Sequence, residues 1–255
     1  MIRIKRPDEI EKMRVAGGVV ARTLAGLSAA IVPGETTTAD LDALAVELLT
    51  REGAVGSFKG YRGYPATICA SVNEVVVHGI PGPVPLKPGD ILGIDLGAIV
   101  NGYHGDGALT IPIGEISEKA KRLLRITQDA LHKGIEQARP GQRIGDIGAA
   151  IQEYVEANGY SVVRDLVGHG IGRDMHEDPQ VPNFGQWRQG IKLREGMTLA
   201  IEPMVNVGGH SINTLEDHWT IVTRDGSLSA HFEHTVAITA RGADILTVDR
   251  GRGGI

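Results

Sequence analysis

The sequence predicts an α+β fold of two related halves, packed about a pseudo-twofold axis with equivalent strands converging at the centre. Three observations predict it. The order helix, helix, strands runs twice along the 255 residues, breaker residues recur at one fixed offset, and carboxylates stand at matched places on matched strands.

In the first half, residues 7 to 31 read as a helix. Pro7 suits a first turn, Asp8 and Glu9 sit near its positive end, and Ile10, Met13, Val20, Leu24, Leu27 and Ile31 recur at helical spacing. Pro33-Gly34 ends it. A second helix is expected over Thr38 to Arg51, with Leu41, Leu44 and Leu48 on one face and Gly53 just past its end. Strand-like stretches follow at Ala66–Val72, Val75–Val77, Ile91–Val100 and Ala108–Ile113.

The second half repeats the plan, with a helix over Ser117 to Ala138, a break at Pro140-Gly141, a helix over Ile147 to Ala157, then Gly159 and further strands. Pro33 and Pro140, Gly34 and Gly141, Gly89 and Gly196, and Asp95 and Glu202 are each 107 residues apart. Such a period is too long for a solenoid and suggests duplication. Pro-Gly also recurs wherever turns are needed, so single matches carry little. Matched carboxylates on matched strands are harder to attribute to turns. Asp106 and Glu233 make a second plausible pair, with about twenty extra residues in the second half. We expect one domain over 1–250, with halves of about 1–114 and 115–250, and a flexible glycine-rich tail at 251–255.

At 42% hydrophobic residues the chain has ample material for a core. A net charge of -5 and dispersed basic residues exclude the profile of a nucleic-acid binder. One cysteine, Cys69, excludes an internal disulfide, and the charged amphipathic N-terminus does not resemble a signal peptide. No apolar run is long enough for a bilayer, so the expected location is the cytoplasm, with no membrane partner.

The chemistry gathers on Asp95, Asp106, His169, Glu202 and Glu233. Carboxylates in stretches as apolar as Ile-Leu-Gly-Ile-Asp95-Leu-Gly-Ala-Ile cost on the order of several kcal/mol unless paired, protonated or metal-bound. Four negative charges around one imidazole would balance two divalent metals. Asn101-Gly102 is a natural hairpin turn that lets Asp95 and Asp106 share one face of neighbouring strands. A lone histidine is more often a packed or surface residue than a ligand; the fit of His169, between glycines, with the four carboxylates is what singles it out. An oxygen-rich set with one imidazole and no thiolate suits catalytic Mn²⁺, Fe²⁺, Co²⁺ or Zn²⁺. Two such metals, about 3.5–4 Å apart, would share a water ionised near neutral pH, and hydrolysis is the natural chemistry.

Eight motifs now carry a resemblance over essentially the whole chain: Gly-Tyr61-Arg-Gly-Tyr64-Pro, Ser71-Val-Asn73-Glu-Val-Val-Val-His78-Gly-Ile-Pro, Gly-Ile-Asp95-Leu-Gly, His104-Gly-Asp106, Gly-His169-Gly-Ile-Gly, Met175-His176-Glu-Asp-Pro, Ala-Ile-Glu202-Pro and Phe-Glu233-His-Thr. The sequence resembles the type I methionine aminopeptidases, of the pita-bread fold and the M24 metallopeptidases. The resemblance implies a central curved antiparallel sheet with helices outside. It also implies that Asp106 and Glu233 bridge two divalent metals, that Asp95 binds one, and that His169 and Glu202 bind the other.

By the same resemblance, the substrate amine would ligate the metal held by Asp95, and a metal-bridging hydroxide would attack the scissile carbonyl. Glu202 would shuttle a proton, His176 would stabilise the oxyanion and His78 would hold the scissile amide nitrogen. Taken alone, His78 and His176 read as loop histidines. Tyr61, Tyr64, Cys69 and Trp219, with Phe58 and Met175, match positions lining a methionine pocket, and aromatics with a thiol suit a thioether. Cys69 reads equally as ordinary core. A monovalent cation near Asn73, Val75 and Ser229 is also implied.

The implied reaction removes the initiator methionine from nascent, deformylated polypeptides whose second residue is small, with the chain acting as a monomer. Transient ribosome association belongs to the same picture, although Val205–His234 contains a single Lys or Arg, Arg224, and so offers no positive patch. Two alternatives are a proline-specific pita-bread peptidase (Xaa-Pro dipeptidase or aminopeptidase P) and a non-catalytic pita-bread interaction protein. The first usually carries an added N-terminal domain, and intact ligands argue against the second.

Overall fold

The computed structural model describes residues 2–251, so all but Gly251 of the expected tail lies outside the described residues. The first half contributes helices α1 (Pro7–Ala29) and α2 (Thr38–Arg51), and strands β1 (Val55–Gly56), β2 (Cys69–Val72), β3 (Val75–Val77), β4 (Ile91–Val100) and β5 (Tyr103–Pro112). The second contributes α3 (Glu118–Gln137), α4 (Ile144–Ala157), β6 (Ser161–Val162), β7 (Val167–Gly170), β8 (Glu177–Pro182), β9 (Thr198–Ile201), β10 (Met204–Asn206), β11 (Ile212–Thr214), β12 (Ile221–Thr223), β13 (Ser229–His231), β14 (Glu233–Thr239) and β15 (Gly242–Ile245).

Local chemistry explains the boundaries. Thr37 caps α2 through its hydroxyl, which accepts from the Asp40 N–H, while the Asp40 carboxylate accepts from the Thr37 N–H at 2.9 Å. Ser117 caps α3 in the same way. Helix α4 starts three residues before the expected Ile147, because the Asp146 carboxylate accepts the Arg143 N–H at 2.7 Å and stabilises an extra first turn. Strand β2 starts at Cys69 rather than Ala66: the Thr67 and Ile68 amides donate to Asp42 Oδ1, at 2.7 and 3.0 Å, instead of to a ladder. Strand β5 starts at Tyr103 rather than Ala108, because Asn101 and Gly102, both at positive φ, close a two-residue hairpin on β4.

The main sheet has nine strands in the order β1-β4-β5-β14-β9-β7-β8, with β2 also on β4 and β15 on β14. Its centre reads β4-β5 against β14-β9, which puts Asp95 on β4 and Glu202 just past β9 at corresponding places on either side of the β5–β14 pair. Two small sheets, β13-β10-β6 and β11-β12-β3, flank it.

Alternation along the strands separates the two faces of the sheet. Leu92, Ile94, Leu96 and Ala98 of β4 pack with Val20, Leu27, Leu41 and Ala45 of α1 and α2 in one buried cluster. Leu199, Ile201, Val236 and Ile238 of β9 and β14 pack with Leu123, Ile126, Leu131, Ile147 and Ile151 of α3 and α4 in another. Burial of such side chains is worth about 1.5–3 kcal/mol each, which fixes the register and drives the intervening residues, Asp95 among them, to the opposite face. Helix α1 lies unusually close to β5: a side chain at Gly105 would come 2.7 Å from the Gly17 nitrogen. The glycine pair thereby sets the depth of the strand that carries Asp106.

Candidate metal centre

The ladder register gathers the five sequence-predicted ligands on one face. Asp95 pairs with Ala108 and Asp106 with Gly97, so the two aspartates are diagonal neighbours. Glu233 pairs with Ala108, and His169 pairs with Ala200, two positions before Glu202. A buried threonine staples the two halves here: Thr235 Oγ1 accepts from the Asp106 N–H at 3.0 Å and donates to the Asp106 carbonyl at 2.8 Å.

The side chains converge. His169 Nε2 lies 3.8 Å from Asp106 Oδ2 and 3.7 Å from Glu202 Oε1, and ligand atoms of Asp106, His169 and Glu233 all lie within 4.8 Å of one another. His169 Nδ1 bonds the Gly170 carbonyl at 2.9 Å. A donating Nδ1–H leaves Nε2 with its lone pair aimed at the carboxylates, the tautomer a metal requires.

Burial and mutual repulsion act on the acids together. Asp106 is pushed up to about 7 by burial, and Asp95, Glu202 and Glu233 are raised well above the usual carboxylate range by burial and then by the neighbouring Asp106 charge, with Glu202 adding to the effect on Asp95 and Glu233. Burial also lowers His169 to about 4. Asp95 Oδ1, Asp106 Oδ1 and Glu233 Oε1 are buried without a hydrogen-bond partner among the described residues. Leaving such atoms unsatisfied costs roughly 1–3 kcal/mol each, more when charged. Orphaned oxygens, clustered acids and a neutral imidazole together form a donor set that fits divalent metal.

A cavity of about 150 Å³ opens above these ligands, and the remaining predicted site residues line it. Its apolar end is built from Phe58, Tyr64, Cys69 and Met175, with Tyr61 and Trp219 packed alongside. Tyr64 meets Phe58 and Trp219 edge-on, with ring centroids 6.5 and 5.1 Å apart. Cys69 belongs both to this packed cluster and to the cavity wall, and burial pushes its thiol well up.

The two further histidines stand at the cavity wall. His78 is held in the left-handed region at φ 59, edge-on to Trp219, by the pairing of β3 with β12 and by the tight approach of Gly79 to the Ala70 carbonyl. Non-glycine residues rarely stay there without compensating contacts. His176 stacks on Tyr61, bonds its hydroxyl through Nδ1 at 2.9 Å, and lies with its ring centroid 4.1 Å from that of His169. Burial lowers both histidines, with His169 and Arg62 adding to the effect on His176, so both are neutral imidazoles at pH 7.

Two residues of the site escape the sequence argument. Arg62 lines the cavity mouth, and His231 Nε2 lies 3.7 Å from Glu202 Oε2. The spacing of His231 two positions before Glu233 is the signal that would have placed it on the same face.

The description metallopeptidase family M24 matches residues 11–240. The chain belongs to this family. Among curated M24 relatives, a methionine aminopeptidase of Clostridium perfringens is 55% identical over 97% of this chain and 99% of its own length. Methionine aminopeptidase 1 of Bacillus subtilis is 53% identical over 97% and 99%. Among solved structures, a methionine aminopeptidase from Thermotoga maritima superposes with a TM-score of 0.95 at 51% identity, covering 97% of this chain and all of the other. A prolidase from Pyrococcus furiosus shares the fold at a TM-score of 0.77 and 25% identity, with 65% of its chain covered. The fold is therefore the pita-bread fold of the M24 enzymes, and the chain is a metal-dependent hydrolase. Among the described residues, no helix is long and apolar enough to cross a membrane.

Proposed function

We propose that the chain is a dinuclear-metal methionyl aminopeptidase that releases the N-terminal methionine of nascent, deformylated polypeptides whose second residue is small and uncharged. The observation that supports this reading is that buried carboxylates and an imidazole line the same cavity as a cluster of aromatic and sulfur-bearing side chains. M24 relatives over 50% identical along nearly their full length support it. In this reading the two halves, about 1–114 and 115–250, act as one catalytic domain, and the chain works as a cytoplasmic monomer.

Asp106 and Glu233 would hold both divalent ions, Asp95 one of them, and His169 with Glu202 the other; Co, Mn, Fe and Zn all suit the donor set. When bound, the ions supply an ionised water and a Lewis acid for the scissile carbonyl. The cluster of Phe58, Tyr64, Cys69, Met175, Tyr61 and Trp219 would bury the methionine thioether and set the register of the peptide. Neutral His176, with Nδ1 accepting the Tyr61 hydroxyl proton, presents Nε2–H to the oxygen on which charge develops. His78, fixed by its backbone, would bond the scissile amide nitrogen. Glu202 would carry the proton to the leaving amine. The Ser229 N–H donates to the Asn73 carbonyl at 2.9 Å, and this junction, with Val75, is the proposed seat of a monovalent cation. Ribosome association remains part of the proposal as a transient contact.

Metal-stripped protein, given Mn²⁺, Fe²⁺, Co²⁺ or Zn²⁺ singly, is expected to release methionine from Met-Ala-Ser and to leave Ala-Pro-Ala intact, read by mass spectrometry. Preferential cleavage of the proline peptide would overturn the assignment.

A further inference from the structure

The cavity opens on its histidine side. Arg62, His169 and His176 line both the cavity and an adjoining open groove of about 470 Å³, whose floor is strands β7 and β8. If the first side chain of the peptide fills the apolar end, as the proposed function has it, the groove is the route by which the rest of the peptide leaves.

Arg62 stands where the cavity meets the groove. It is exposed, held at φ 50 between Gly60 at φ 84 and Gly63 at φ 90, and its guanidinium sits over the Tyr61 ring, 5.4 Å from the centroid. Left-handed backbone at three of four successive residues, strained at the non-glycine position, projects this side chain over the opening. No carboxylate of the described residues forms an ion pair with it. The other charges of the groove are engaged: Arg3 lies 2.7 Å from Asp174, Glu177 lies 2.6 Å from Lys5, and Asp178 has contacts of its own. An unmatched guanidinium, stiffened by a stacked ring and presenting a planar fork of donors, is suited to a carboxylate.

We infer that Arg62 is a specificity-determining residue: it reads the peptide just beyond the scissile bond and favours a carboxylate side chain at the third or fourth position of the substrate. This rests on the aminopeptidase reading and refines it. The interaction is exposed, so the preference has the size of a surface ion pair, about 2- to 5-fold, and is screened by salt.

The test compares kcat/KM on Met-Ala-Asp-Ser, Met-Ala-Asn-Ser and Met-Ala-Lys-Ser, with a parallel set varied at the fourth position, at low and high salt. The expected order at one of the two positions is Asp over Asn over Lys at low salt, collapsing at high salt. Arg62→Lys should keep the order, Arg62→Gln should level it and Arg62→Glu should reverse it. Because each ratio is taken within one variant, a general loss of activity does not disturb it. Equal rates for Asp and Asn peptides at both positions in the natural protein, or an order unchanged by Arg62→Glu, would overturn the inference. Failure to cleave even the Asn peptide would instead overturn the aminopeptidase reading beneath it.

Discussion

His231 Nε2 lies 3.7 Å from Glu202 Oε2, on a side chain only 4% exposed, and has no hydrogen-bond partner among the described residues. Its backbone is fixed by Thr110, whose hydroxyl accepts from the His231 N–H at 2.9 Å and donates to its carbonyl at 2.8 Å. Burial lowers the imidazole to about 3, so a neutral ring faces the Glu202 carboxyl group. In the proposed dinuclear centre, a ring so placed would orient Glu202.

We therefore expect His231→Leu to weaken divalent-metal affinity about 10- to 100-fold, the range for lost supporting contacts around metal ligands. His231→Gln, which keeps a donor, should lose less. Calorimetric titration with Mn²⁺ measures both. Natural affinity in His231→Leu would remove this role.

In metal-free protein the acids make stability depend on pH. Unfolded aspartate ionises near 4, whereas folded Asp106 keeps its proton up to about 7. Between those values the folded state holds the extra proton, so this group's contribution to stability falls as pH rises. The buried histidines act oppositely: His169 and His234, lowered to about 4, stay neutral while the unfolded chain takes up protons below about 6.5, so stability falls as pH drops through that range. Asp106→Asn isolates the first effect. Its melting temperature in EDTA, relative to the natural protein, should rise from pH 5 to pH 8, by the equivalent of a few kcal/mol. A difference independent of pH would refute the buried-acid account.

The loop carrying Met175 and His176 is tied to the N-terminus by a buried ion pair. Lys5 Nζ lies 2.6 Å from Glu177 Oε2, with side chains 5% and 4% exposed, and Glu177 Oε1 accepts the Arg173 N–H at 3.0 Å. Lys5→Met removes the nearer of the two cations beside Glu177, leaving Arg3 at 3.4 Å and the Arg173 and Asp174 amides, and should cost about 1–3 kcal/mol in denaturant unfolding. Lys5→Met with Glu177→Gln should recover much of that loss. Equal stabilities for the single and double variants would show that the pair is not coupled.

Much of this architecture was legible because local signals and the global fold agree. Asn101-Gly102 marks the turn that joins β4 to β5 and lets Asp95 and Asp106 share a face, whereas the register is set by the packing of Leu92, Ile94 and Leu96 against two helices. The paired positions Asp95 and Glu202 are recognisable at their constant offset because both strands need the same glycine-led entry. Elsewhere tertiary partners override local pattern. The glycines at 105 and 107 hide the first half of β5, since their value lies in contact with α1 rather than in strand propensity. Asp42 takes the amides that would have begun β2. The positions of Arg62 and His231 depend on loops and sheets brought together from distant sequence, and a single arginine or histidine carries no mark of that.

The central claim is that five residues from both halves hold two metals of unequal surroundings. Isothermal titration of metal-free protein with Mn²⁺ or Co²⁺, followed by elemental analysis of the dialysed complex, tests it directly. Two ions per chain are expected in the natural protein. His169→Ala should weaken one site by an order of magnitude or more, and Asp106→Ala should disable both. One ion per chain at saturation, or an unaltered titration in Asp106→Ala, would contradict the dinuclear centre.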